Sequence, residues 1–176
     1  MRKTHAMIVR TALALLTGTV VALVPTAAHA GTAQAEADQI LAGLIEANPG
    51  AQRVDSTTVK LANGVIAQVS TNTNSRNSLA GGAYRDCGYG WLCMYDTTYY
   101  QGSRLKFYNC GFVNIGSAYG WSDRFRSLIN NQTTGTWSEF YNWNGSSWEY
   151  LASSKAFDAN PSVWSGLWQT DAVRVC

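Results

Sequence analysis

Apolar and polar positions change rhythm three times along this chain. An uncharged apolar run from Thr11 to Val24 follows the basic residues Arg2, Lys3 and Arg10. Between Thr32 and Ala47 the apolar residues Ala37, Ile40, Leu41, Leu44 and Ile45 recur at helical spacing and form a single stripe. Glu36 and Asp38 in the early turns suit the helix dipole, and Asn48-Pro49-Gly50 ends the helix. The period then falls to two. Val59 and Leu61 alternate with polar residues up to Asn63-Gly64, and Val65 to Val69 continues beyond, which predicts a β-hairpin.

Ser70 to Gly82 is rich in Asn, Ser, Thr and Gly and reads as a flexible linker open to proteolysis. Beyond it, short runs dense in aromatic and β-branched residues are broken by Gly, Asn, Ser and Thr, and helix signals vanish. Trp91 to Tyr95, Arg104 to Tyr108, Trp137 to Tyr141, Trp148 to Leu151 and Ala172 to Cys176 are the clearest strands, with a hairpin turn at Asn144-Gly145. Two weak repeats appear in register. Trp91-x3-Tyr95 returns as Trp137-x3-Tyr141, and Ser122-Asp123-x2-Arg126 returns as Thr170-Asp171-x2-Arg174. Two tandem units of about 45 residues, each too small to close a core alone, would pack together as one all-β domain. The expected division is a signal peptide over 1–30, a helix–hairpin accessory or pro-segment over 31–69, a linker over 70–83 and a β-domain over 84–176.

Composition sharpens this division. All seven Trp, nine Tyr and five Phe lie between Tyr84 and Trp168, and Cys87, Cys93, Cys110 and Cys176 all follow Tyr84. The apolar run at the start is shorter than the ~20 residues of a membrane-spanning helix, and Ala28-His29-Ala30 supplies a small-residue cleavage site. Cleavage after Ala30 and secretion are expected. Cleavage removes three of the 13 basic residues, so against 11 acidic ones the mature chain is near neutral. Nucleic acid is not an expected partner, because binding it requires a basic surface. His5 and His29 are the only histidines, and both leave with the signal. A histidine-free protein cannot run a Ser-His-Asp or Cys-His mechanism, and it lacks the commonest ligand of catalytic zinc. Glu139 and Glu149 are the one glutamate pair in the domain, and both are expected to face solvent. No enzymatic activity, cofactor or resident metal is expected. Four cysteines in a small exported domain read as two disulfides. Of three pairings the favoured one is Cys87–Cys93, closing a tight loop around Gly88-Tyr89-Gly90, with Cys110–Cys176 tying the last residue to the middle of the domain.

Tyr95-x4-Tyr100-x-Gly102 resembles the Greek-key signature of βγ-crystallins, aromatic-x4-aromatic-x-Gly. The wider context is similar to a family of secreted bacterial peptidase inhibitors of that fold, whose founder inhibits a metalloprotease. The matching pieces are Cys87-Gly-Tyr-Gly-Trp-Leu-Cys93-Met-Tyr95, Tyr100-Gln-Gly102, Cys110-Gly-Phe112, Trp121-Ser-Asp123 and a Cys near the terminus. The resemblance implies a βγ-crystallin-like Greek-key sandwich in which Tyr95 and Tyr100 form a corner and Gly102 takes a conformation closed to other residues. It also implies a calcium motif that is degenerate here. The segments 122–127 and 170–175 keep Asp123, Ser127 and Asp171, but Arg126 and Arg174 stand where a hydroxyl ligand belongs. A guanidinium cannot ligate a cation, so Asp123–Arg126 and Asp171–Arg174 are read as local ion pairs replacing the metal.

The expected function is inhibition of an extracellular protease, expected from the resemblance to be a metalloprotease, by a monomer through a loop that a disulfide-tied scaffold holds extended. The reach Ser153 to Gly166, with Asp158, Asn160, Pro161 and Trp164, is the candidate inhibitory loop, and Gly111 to Gly120 is a second long connection. The alternatives are a carbohydrate- or wall-binding module using Trp137, Trp143, Trp148, Trp164 and Trp168, with polysaccharide as partner, or a toxin-like antimicrobial protein of the same fold. Most of the tryptophans are expected to fill the core.

Overall fold

A computed structural model of the protein describes residues 27–71 and 87–176. The apolar run of the expected signal peptide and most of the expected linker lie outside the described residues. Helix α1 spans Ala27–Ala47, beginning before the expected Thr32 because the alanines ahead of it are strong helix formers. Glu36 and Asp38 consequently sit mid-helix rather than in the first turns. Asp38 accepts instead from Gln34 and from Arg53, whose guanidinium holds its carboxyl below the usual carboxylate value. Asn48 closes the helix by donating to Leu44 O and Ala118 O, both at 2.9 Å.

Two antiparallel sheets follow. The first contains β1 (Gln52–Arg53), β2 (Thr58–Lys60), β3 (Ile66–Gln68), β4 (Trp91–Tyr95), β5 (Arg104–Phe107), β7 (Ser127–Asn131) and β10 (Asp158–Asn160). Their order is β1-β2-β3-β5-β4-β7-β10. The second holds β6 (Gly111–Asn114), β8 (Trp137–Trp143), β9 (Trp148–Lys155) and β11 (Ala172–Val175), in the order β6-β11-β8-β9. Strands β4–β7 make one unit and β8–β11 the other. The third strand of each unit crosses to the other's sheet: β10 pairs with β7, and β6 pairs with β11. This exchange makes the Greek keys one all-β sandwich.

The hairpin of β2 and β3 is not set apart from the sandwich. β3 pairs with β5 through Ile66↔Lys106, Ala67↔Leu105 and Gln68↔Arg104, so the helix–hairpin element extends the first sheet. Its turn is fastened as well: Asn63 donates to the Tyr119 hydroxyl at 2.6 Å, and Asn109 donates to Asn63 O at 3.0 Å. Ala37, Leu41 and Leu44 of α1 join Val59, Leu61, Ala67, Leu92, Met94, Phe107, Phe125, Phe140 and Val173 in one continuous buried cluster. On the other face of β4, Cys93 and Tyr95 pack with Cys87 and Ile129 in a smaller cluster.

Two expectations need correction. Helix does occur after residue 84. A single turn, α2 (Ile115–Tyr119), is capped by Asn114 Oδ1 and closed by Gly120 at φ +64°, and a 3-10 turn covers Ser165–Gln169. Nor do the tryptophans fill the core. Among those in the described residues only Trp121 is buried, at 4% exposure, while Trp137, Trp143, Trp164 and Trp168 are 42–59% exposed. Aliphatic residues and phenylalanines already fill the space between the sheets, and the remaining indoles lie outside it.

Candidate functional site

β4 and β5 are joined by a hairpin in which the tyrosines form a corner. The Tyr95 and Tyr100 rings meet edge to face with centroids 5.9 Å apart. Gly102 has φ +77°, and a Cβ there would stand 2.1 Å from Asp96 Oδ1 and 2.8 Å from Thr97 Oγ1. That crowding exists because Asp96 is fully used. Its Oδ1 accepts from Ser103 N at 2.7 Å and its Oδ2 pairs with Arg124 at 2.7 Å. The corner also consumes Ser127, whose hydroxyl accepts from Tyr100 N at 3.0 Å and donates to Thr97 O at 2.6 Å. Tyr99 and Tyr100 both have φ near +60°, a strained left-handed pair that these bonds hold in place.

The disulfides are Cys87–Cys93 and Cys110–Cys176, with Cα–Cα separations of 6.0 and 5.1 Å. The first closes a loop whose Tyr89 is 66% exposed and whose Gly90 has φ +90°. The second lies beside the register pair Val175↔Gly111, at the strand exchange.

The two Asp-x-x-Arg segments do not form the ion pairs expected of them. Arg126 donates to the backbone carbonyls of Asp123 at 2.8 Å and Phe125 at 2.9 Å, and its guanidinium lies 4.5 Å from the Trp168 ring centroid. Arg174 pairs with Glu139 at 3.2 Å and sits over Phe112. Residues i and i+3 of an extended chain point to opposite faces, so Asp171 cannot reach Arg174. The Asp171 carboxylate instead accepts from Trp143 N at 3.0 Å, and its carbonyl accepts from Ile115 N and Gly116 N. Among the described residues no group of three or more His, Cys, Asp or Glu is placed to hold a metal. Glu139 and Glu149 do not converge either. Glu149 is opposite Asn142, on the face away from Glu139 and Tyr141.

The reach Ser153 to Gly166 is not one open loop. β9 runs to Lys155, and Asp158 and Asn160 belong to β10, paired with Asn130 and Leu128. Asp158 Oδ2 accepts from Ser154 Oγ at 2.8 Å and Asn160 Oδ1 accepts from Ser162 N at 3.0 Å, so both act within the fold. Beyond the exposed Lys155 and Phe157, what remains exposed is Pro161, Ser162, Trp164 and Ser165, with Trp164 extended at φ −65°, ψ 155°. This segment is fastened at its middle. Tyr99 N donates to Pro161 O at 2.7 Å, Val163 N donates to Arg126 O at 2.9 Å, and the Val163 side chain is buried. Gly111 to Gly120 is likewise taken up by β6 and α2. Sequence reasoning did not find Tyr99 or Arg126 as supports of this segment, because their contacts span distant positions and leave no local pattern.

Residues 80–152 match peptidase inhibitor family I36. The I36 match takes in the first unit and the β8–β9 hairpin and ends before Asp158. It is a family of peptidase inhibitors rather than enzymes, and the Cys87–Tyr95, Tyr100–Gly102, Cys110–Phe112 and Trp121–Asp123 motifs all fall within it. No curated protein matches the chain. Among solved structures, the chain is similar to a βγ-crystallin domain from Clostridium beijerinckii at 15% identity and TM-score 0.40, covering 48% of this chain and 95% of that one. A double mutant of the same domain is similar at 15% identity and TM-score 0.39, covering 48% and 93%.

Proposed function

We propose that the protein is a secreted, monomeric inhibitor of an extracellular metalloprotease and that it docks through residues 160–165. The I36 match supports inhibition, and the exposed, extended Trp164 on a fastened backbone supports this segment as the contact. Because Tyr99 N and Arg126 O already hold the main chain on either side of Ser162, binding orders little further backbone, at a saving of about 1–2 kcal/mol per residue. Trp164, 59% exposed, is a large rigid anchor of the type that dominates interfaces. Catalytic zinc keeps one open coordination position, and the exposed Ser162 beside Trp164 carries an oxygen that can fill it. Asp158 and Asn160, which the sequence suggests as contacts, support the segment from β10 instead.

Titration of the disulfide-intact protein against a thermolysin-like metalloprotease and a subtilisin-like serine protease tests this reading. Stoichiometric inhibition of the metalloprotease is expected, with Trp164→Ala weakening it at least tenfold and leaving the thermal midpoint nearly unchanged. Inhibition of the serine protease alone would overturn the assignment of target. Full potency in Trp164→Ala would move the contact elsewhere, with the Tyr89 loop next in line.

A further inference from the structure

The outer face of the second sheet is aromatic. Phe112 from β6, Tyr141 and Trp143 from β8, and Tyr150 and Trp148 from β9 meet in an unbroken series of ring contacts with centroids 5.1–5.9 Å apart. At one end the face falls into an open cleft of about 500 Å³, walled by Trp143 and Trp148, whose rings are 5.1 Å apart and tilted by 58°. That volume lies in the range of ligand clefts.

The cleft floor is Gly116, and it is lined with oxygen. A Cβ added at Gly116 would meet Ser122 Oγ at 2.4 Å, Asp171 Oδ1 at 3.3 Å and Asn114 Oδ1 at 3.6 Å. The carboxylate is built in. Asp171 Oδ2 accepts from Trp143 N at 3.0 Å, which fixes the tryptophan-bearing strand against the floor and leaves Oδ1 on the cleft side. Among the described residues no lysine or arginine lines this cleft.

We infer that this cleft binds a neutral β-linked polysaccharide of glucose-type sugars. Such rings carry their hydroxyls equatorially, so each ring has two apolar C–H faces and a rim of donors. The indoles of Trp143 and Trp148 supply flat apolar surface for the faces. The carboxylate, amide and hydroxyl oxygens around Gly116 accept from the rim. A carboxylate with no cation beside it disfavours phosphate, sulfate and uronate ligands. Tyr141 and Tyr150 adjoin the cleft, beside Phe112 with the Glu139-paired Arg174 guanidinium over its ring, and this extension suits a chain rather than a single sugar. The site is separate from the 160–165 segment, so it binds whether or not that segment inhibits a protease.

The test is a tryptophan-fluorescence titration of the disulfide-intact protein with cellohexaose, laminarihexaose and N-acetylated chitohexaose, alongside retention on insoluble cellulose and chitin. Saturable binding of at least one oligomer is expected. Trp148→Ala should weaken it at least tenfold, and Gly116→Ala, checked for an unchanged fold by circular dichroism, should do the same by displacing Ser122 Oγ. Trp137→Ala, whose exposed ring stacks with Lys155 away from the cleft, should bind as the unmodified protein does. Protease inhibition should survive Trp148→Ala. Absence of saturable binding by all three oligomers would overturn the inference, as would equal affinity in Trp148→Ala. Saturable binding only to an aromatic peptide would overturn it too, replacing a sugar site with a protein-docking one.

Discussion

The Cys110–Cys176 bond offers the cleanest energetic test of the fold. Replacing both residues by alanine removes a cross-link between positions 66 apart in sequence, while Cys87–Cys93 spans 6. On the chain-entropy account the long bond contributes about 4 kcal/mol and the short one about 2 kcal/mol at 25 °C. Packing separates the two further. Cys110 and Cys176 are exposed, so their truncation leaves no cavity and, besides the constraint on the unfolded chain, removes only the contact from Gln132 Nε2 to Cys176 Sγ at 3.4 Å. Cys87 and Cys93 are fully buried beside Tyr95 and Ile129, so losing them adds the cost of a hole. Urea unfolding of the oxidised proteins, followed by tryptophan fluorescence, should show Cys110→Ala/Cys176→Ala losing about 4 kcal/mol. The m-value should rise, because the released chain exposes more surface on unfolding. A loss below about 1 kcal/mol with an unchanged m-value would refute the reasoning, since it would mean that the unfolded chain gains no freedom from a cut of that length.

Gly102→Ala should cost about 2–4 kcal/mol, combining left-handed backbone strain with displacement of the Asp96 carboxylate from Ser103 and Arg124. A thermal midpoint within a degree of the unmodified protein would show that the corner yields freely. The pH dependence has two limbs. Asp38, bonded to Arg53, and Asp55, accepting from Thr57 N, have folded values below the ordinary 3.8. Their contribution is present above that value and lost as pH falls through the lower folded one, so Asp38→Asn should flatten the acid limb of a midpoint-versus-pH series. Tyr119 is pushed above its ordinary 10.0 by burial, so its contribution holds below that value and is lost as pH rises through the higher folded one. Tyr119→Phe should flatten the alkaline limb, and an unchanged limb would exclude the group.

What the sequence discloses and what it conceals follow physical lines. β4, β5, β8, β9 and β11 carry aromatic or β-branched runs, and β8–β9 turns at Asn144-Gly145 with Gly145 at φ +95°. β7 escapes notice although every residue in it is buried. Its Ser-Leu-Ile-Asn-Asn run looks like a turn, yet Asn130 donates to Ser154 O and Asn131 donates to Cys87 O, so both amides are satisfied inside. β6 and β10 are too short to show a period, and both owe their pairing to a strand of the other unit. In the proposed contact segment Trp164 was legible, as a large apolar residue next to turn chemistry. Its supports were not, because Tyr99 and Arg126 reach it only through the closed sandwich. The tryptophans are expected in the core because composition reports how many rings there are and not which side of a sheet they occupy.

The crossing of β6 and β10 also decides what happens if a protease severs the segment it is offered. A cut between Pro161 and Ser165 would leave β10 hydrogen-bonded to β7 on the upstream piece. The downstream piece would keep β11 sandwiched between β6 and β8, and Cys176 would remain joined to Cys110. Neither new end could diffuse away. The clipped molecule would stay a single covalent body, with both new ends still held by the sandwich, so a cut in this segment nicks the chain without taking the fold apart.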